Sequence, residues 1–144
     1  MADSRFVYVT YIRSTPQKVW EAVTTTEFMK SYFFGFTFDT EWKKGAPWRM
    51  IHPDGTVTDG GEILAFEPPS RLELSWRNEF KPEIKAEGYG TCVLEVEPVG
   101  DATKLTVTHS SKAADSKLIS AVSGGWPQIL SNLKSLLETG QVAV

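Results

Sequence analysis

A thiol and an imidazole are the side chains in this chain best suited to nucleophilic chemistry, and their spacing brings one such pair together. Cys92 is the single cysteine, and His52 and His109 are the two histidines. Cys92, Leu94 and Val96 alternate with Thr91, Val93 and Glu95, while Leu105, Val107 and His109 alternate with Lys104, Thr106 and Thr108. A period of two is that of a strand with one buried face. A turn centred on Gly100-Asp101 then sets Val96 opposite Leu105, Leu94 opposite Val107 and Cys92 opposite His109. Opposed residues hold their Cβ atoms about 4.5–5.5 Å apart, near enough for His109 to act as base toward a Cys92 nucleophile. Such a site also needs an orienting third residue and an oxyanion donor, and the sequence shows neither. The favoured reading is a small buried cysteine beside a histidine that hydrogen-bonds a neighbour, with no catalytic residue assigned.

The tryptophans form a second constellation. Turns centred on Asp54-Gly55 and on Pro68-Pro69 place Gly61 between Trp48 and Trp76 on adjacent strands. A position without a side chain between two indoles leaves a recess able to receive a flat or greasy ligand; the alternative is that the rings cover the glycine as ordinary core. Neither histidine has CxxC, HxxxH or HxxE spacing around it, so no metal site is expected. Asp59-Gly60-Gly61-Glu62 lies inside a strand rather than after one, which argues against a phosphate-binding loop. No cofactor is expected.

The elements that must position these residues are legible from periodicity and punctuation. Phe6 to Ile12 reads as a strand, followed by a helix with Thr15 as N-cap and Pro16 in its first turn. Val19, Trp20 and Val23 give that helix a narrow buried face, with Trp20 anchoring it to the sheet. Thr24 and Glu27 stand at capping-box spacing for a short second helix over Phe28 to Phe33. Phe36 to Ser110 reads as an antiparallel meander, in which Leu72, Leu74 and Trp76 also point inward. The stretch Arg77 to Gly88, charged and containing Pro82, is expected to be a long exposed connection.

Leu118, Ile119 and Val122 suggest a helical piece that breaks or kinks at Gly124-Gly125, a hinge before the main C-terminal helix. In that helix Trp126, Ile129, Leu130, Leu133, Leu136 and Leu137 occupy an arc of about 120°, with Gln128, Ser131, Asn132, Ser135 and Glu138 opposite. Gly140 fits the left-handed residue that ends it. The apolar arc must be covered, and the sheet is what covers it.

Composition bounds the function classes. The 144 residues are 41% apolar and 12% aromatic, which is the size and content of one domain, residues 1–144, with a real core. A net charge of −3 with mixed signs leaves no basic stripe for nucleic acid and no support for an anionic membrane surface. No apolar run approaches the ~20 residues of a membrane span, and Met1 to Arg5 lacks a signal peptide's apolar core. One cysteine excludes an internal disulfide, and the expected location is cytoplasmic.

Several segments in order carry a resemblance to a known family. They are Tyr11-Ile12 with Thr15 to Thr24, Gly45-Ala46-Pro47-Trp48, Gly61-Glu62-Ile63 leading to Pro68 to Leu72, Thr103 to His109, and Gly125-Trp126. With them the chain resembles the START-like (SRPBCC) superfamily, and within it the bacterial homologues of the activator of heat-shock-protein ATPase (Aha-type). The resemblance implies an α+β helix-grip fold, a curved antiparallel β-sheet wrapped around a long C-terminal α-helix in the order β-α-α-β(5–6)-α, with an apolar cavity between sheet and helix. It does not imply one reaction, because members include binding proteins, co-chaperone domains and a few enzymes. The eukaryotic co-chaperone carries a separate N-terminal chaperone-binding domain, and nothing precedes Arg5 to match it, which weakens a chaperone-activating expectation.

The leading expectation is a binding protein for a small hydrophobic or aromatic molecule held between the sheet and the C-terminal helix. The ligand-binding candidates are Trp48, Met50, Gly61, Trp76, Cys92, His109, Trp126 and Leu130. One alternative is a cavity enzyme of the cyclase or hydrolase kind using His109 as general acid or base. Another is a co-chaperone-like interaction module using apolar surface near Phe33-Phe34, of which one is expected to be exposed, and the Arg77–Gly88 loop. The expected state is a monomer or a weak dimer through an edge strand, with a chaperone the less favoured partner.

Overall fold

The computed structural model describes residues 4–144. β1 (Ser4–Ile12) leads through α1 (Pro16–Val23) and α2 (Thr26–Tyr32) to β2 (Thr37–Thr40), β3 (Pro47–Ile51), β4 (Val57–Glu67) and β5 (Arg71–Asn78). After α3 (Pro82–Lys85) come β6 (Gly90–Val99), β7 (Ala102–Ser111) and α4 (Lys117–Thr139). All seven strands form one curved antiparallel sheet in the order β1-β7-β6-β5-β4-β3-β2. β2 to β7 are thus a meander, and β1 closes the far edge beside β7. This is the expected α+β helix-grip architecture, with α4 packed along β1 and β7 and against α2.

The hairpin registers follow the turn chemistry. Cys92 faces His109, Leu94 faces Val107 and Val96 faces Leu105. Trp48 faces Gly61. Between β4 and β5 the tip is one residue out of the expected register, pairing Phe66 with Leu72, and an irregularity between Ile63 and Ala65 restores it. Ile63 then faces Leu74 and Gly60 faces Arg77, which brackets Gly61 opposite Trp76. The inward rows Leu72-Leu74-Trp76, Cys92-Leu94-Val96 and Leu105-Val107-His109 are all buried.

The helices depart from expectation in four places. α4 does not break at Gly124-Gly125: it runs unbroken for 23 residues, with Pro127 inside it. Each glycine costs such a helix about 1 kcal/mol relative to alanine, but buried side chains on both sides of the pair hold it. Leu118 and Ile119 anchor one side, and Trp126, Leu130 and Leu133 anchor the other. Its start is also fixed, by Ser116, whose hydroxyl accepts from the Ile119 N–H and donates to Glu87. Gly140 ends the helix as expected, at φ 84°.

The Thr24–Glu27 capping box does not form. The Thr24 hydroxyl instead donates back to the Trp20 carbonyl at 2.7 Å, and Thr25 is the N-cap of α2. Asn132, expected on the solvent side, is buried because its amide bridges the Tyr32 carbonyl and the N–H groups of Ala143 and Val144. The Arg77–Gly88 stretch is not wholly an exposed connection: β5 extends to Asn78, and α3 turns Ile84 into the core.

Candidate functional site

Strand register builds the sheet side of the site. Alternation sends Trp48 and Met50 of β3, Asp59, Gly61 and Ile63 of β4, and Trp76 and Asn78 of β5 to one face of the sheet. The registers align them in rows. Trp48, Gly61 and Trp76 form one row, and Met50, Asp59 and Asn78 form the next, since Met50 faces Asp59 and Asp59 faces Asn78.

The first row is filled. A Cβ at Gly61 would stand 2.0 Å from the Ser75 carbonyl oxygen, so the missing side chain admits a strand rather than a ligand. The Trp48 indole N–H donates to that same carbonyl at 2.9 Å. The Trp48 and Trp76 rings meet at 4.6 Å between centroids. No recess therefore opens between the two indoles, and the space that Gly61 does border is a shallow one shared with Pro47, Glu62, Ser75 and Tyr89.

The second row is open. A cleft of about 200 Å³ lies between Met50, Asp59, Trp76 and Asn78 on the sheet, Phe33 after α2, and α4. On α4 it is lined by Leu118, Ala121, Val122, Gly125, Trp126 and Ile129. These stand at i, i+3, i+4, i+7, i+8 and i+11, one stripe of a continuous helix. Phe33, Trp76 and Trp126 form an aromatic angle at its inner end, with Trp126 6.0 Å from Phe33 and 6.1 Å from Trp76, both edge-on.

Asp59 is the cleft's acidic group. The Trp76 indole N–H donates to its Oδ2 at 2.8 Å, and the Asn78 amide does so at 3.5 Å. Burial pushes its carboxyl above the usual carboxylate range, against the opposing pull of hydrogen bonds from Trp76, Thr58 and Asn78. No cation offsets that cost. The other charge acting on it is Glu79, of like sign, and Glu79 itself is held by Arg77 and Lys85.

His109 and Cys92 lie behind this surface. Both are fully buried, and neither lines the cleft. The Trp126 indole N–H donates to His109 Nδ1 at 3.2 Å, which leaves the ring proton on Nε2, a buried donor without a partner. Burial pushes the His109 pKa down to about 4 and the Cys92 thiol up, so at neutral pH both are uncharged. An uncharged, sealed thiol is no nucleophile.

Of the sequence candidates, Met50, Trp76 and Trp126 meet at the cleft. Trp48, Gly61, Cys92 and His109 lie off it, and Leu130 borders a void of about 10 Å³, room for no more than one water. Asp59, Asn78 and Phe33, with Leu118, Ala121, Val122, Gly125 and Ile129 of α4, were not among the ligand-binding candidates. Asp59 shares strand parity with Gly61, and the register that aligns Trp48 with Trp76 also aligns Met50, Asp59 and Asn78. Among the described residues no cluster of His, Cys, Asp and Glu is arranged to hold a metal, and no helix is long and apolar enough to cross a membrane.

Comparison with known proteins places this architecture. The crystal structure of MLL2253 from Mesorhizobium loti superposes with a TM-score of 0.82 at 22% identity, covering 96% of this chain and 100% of that one. CalU16 from Micromonospora echinospora gives 0.77 at 20% identity, covering 96% and 78%. The Aha1 dimer from Colwellia psychrerythraea gives 0.75 at 18% identity, covering 95% and 98%. These likenesses establish the shared fold. No curated protein matches the sequence significantly. The profile of the family described as Activator of Hsp90 ATPase homolog 1-like protein matches residues 13–138, and the chain belongs to that family.

Proposed function

We propose that this protein binds a small hydrophobic or aromatic molecule in the cleft between the sheet and α4. The observation that carries the reading is the cleft itself, some 200 Å³ of space with an almost wholly apolar lining and polar groups only at Asp59 and Asn78. Binding sites for drug-sized ligands begin at about 300 Å³, while an apolar cavity of about 150 Å³ takes benzene. The occupant is thus a molecule of about one ring with a short substituent, held edge and face by Phe33, Trp76 and Trp126.

Isothermal titration with 2-phenylethanol tests this, set against Val122→Phe, which fills the cleft from α4. Saturable binding that the variant abolishes, with its thermal melt intact, is expected. Binding that survives the substitution would place the ligand elsewhere. The reading also accounts better for the polar inventory than an enzyme built on His109, whose imidazole has no access to a molecule in the cleft.

The family description makes contact with Hsp90 a second reading. Phe34 and Phe80, 46% and 60% exposed, are side chains that a protein partner would cover. Co-purification with Hsp90 in the presence of ATP, lost on Phe34→Ser, supports it; no retention by the chaperone removes it.

A further inference from the structure

We infer that the cleft selects a positively charged ligand, an aromatic or alkyl amine whose ammonium group meets Asp59 while its apolar body lies among Phe33, Trp76 and Trp126. The inference rests on the cleft being a ligand site and adds the charge of its occupant.

Three features support it independently. First, Asp59 is 5% exposed in an apolar lining with no cationic side chain beside it. A carboxylate so placed is costly to the fold unless something else supplies its counter-charge. Second, every group that reaches Asp59 is a neutral hydrogen-bond donor, with the Trp76 indole and the Asn78 amide on Oδ2 and the Thr58 hydroxyl beside them. The Trp76 and Asn78 bonds fix the carboxylate's orientation without neutralising it. Third, the aromatic rings lie within one cleft with the acid. Ring faces attract a cation that has left water, and an ammonium between carboxylate and indole gains from both. An anionic ligand would meet the same carboxylate as a repulsion. A neutral ligand would leave its charge uncompensated.

The surface does not share this preference by accident of net charge, which is only −3 for the whole chain. Glu79, the nearest other acid acting on Asp59, is already paired with Arg77 and Lys85 and has no charge to spare for a ligand. The selectivity therefore belongs to one side chain and can be removed with it. Asn at position 59 keeps an oxygen for the Trp76 N–H, removes the charge and puts an amide donor in place of the second oxygen.

The test is titration calorimetry at pH 7.5 and 150 mM salt, with phenethylamine as cation, 2-phenylethanol as neutral probe and phenylacetate as anion. For the unaltered protein the amine should bind at least tenfold more tightly than the alcohol, and the alcohol more tightly than phenylacetate. In Asp59→Asn the amine should lose its advantage over the alcohol, and a cooperative thermal melt of the variant shows that it is folded. An equal preference for amine in both proteins would overturn the assignment to Asp59. Binding of the alcohol with no preference for the amine would leave the cleft a ligand site and defeat the charge inference. No binding by any of the three would defeat both.

Discussion

Two indole N–H groups on the inner surface donate to two buried titratable side chains, and the two pairs have opposite situations. Trp126 donates to His109 deep between α4 and β7, where nothing else can enter. Trp76 donates to Asp59 at the floor of the cleft. The first pair contains the residue type that sequence reasoning favours for chemistry, yet it acts as a bolt between helix and sheet. The second contains an ordinary acid and faces a space that a ligand of one ring can enter. Access to a void, and not residue type, separates them.

Their charges respond to pH with opposite sign, which offers the strongest way to break the comparison. His109 has a folded pKa of about 4 against an ordinary 6.5, so its neutral form stabilises the fold above pH 6.5. The unfolded chain takes up that proton first as pH falls, and about 3 kcal/mol is lost between pH 6.5 and 4. Protonation also turns Nδ1 into a donor facing the Trp126 donor. Asp59 has a raised folded pKa, so its contribution is present below the usual carboxylate range and is lost as pH rises through the folded value. Urea melts across pH 4–7.5 should show a steep acid-side loss that His109→Gln flattens. Asp59→Asn should be more stable than the unaltered protein at pH 7.5. If His109→Gln leaves the acid-side slope unchanged, the imidazole is not buried as a neutral base.

Removing each indole N–H is the next test. Trp126→Phe leaves His109 with neither ring nitrogen partnered and should cost about 1–3 kcal/mol beyond the lost ring area. Trp76→Phe leaves Asp59 with Asn78 and Thr58, so the cost should be smaller, and it should appear instead as weaker ligand binding. Equal losses of stability in the two variants would show that Asp59 is as sealed as His109.

Much of this arrangement was legible, because strand parity and turn position are local properties. Gly100-Asp101 was enough to set Cys92 against His109, and the tip error at Pro68-Pro69 was cancelled by the irregularity near Leu64. The location of empty space was not legible, since it depends on how closely strands approach. Gly61 reads as a gap, but the Ser75 carbonyl occupies it, and the gap opens one row along at Asp59. The glycine pair in α4 misled for a related reason: helix propensity is a weak local preference, and burial of side chains on both sides outweighs it. Asn132 escaped notice because its partners are the carbonyl of Tyr32 and the chain's last two amides, both remote from α4's own pattern.

That glycine pair supplies the smallest and sharpest test. Both residues lie in the interior of α4, so alanine at either should stabilise the helix by about 1 kcal/mol. A Cβ at Gly124 meets nothing within 4 Å, whereas one at Gly125 sits 3.9 Å from Ile129 Cδ1, inside the cleft lining. Gly124→Ala should therefore raise the melting temperature by a few degrees and leave ligand affinity unchanged. Gly125→Ala should raise it similarly while weakening binding, because the added methyl group takes space that the cleft keeps for its occupant. Should both substitutions leave affinity untouched, the ligand does not reach Gly125. Should both weaken it, flexibility at the pair rather than room beside it governs entry, and the hinge expected from the sequence would exist in motion though the helix is continuous.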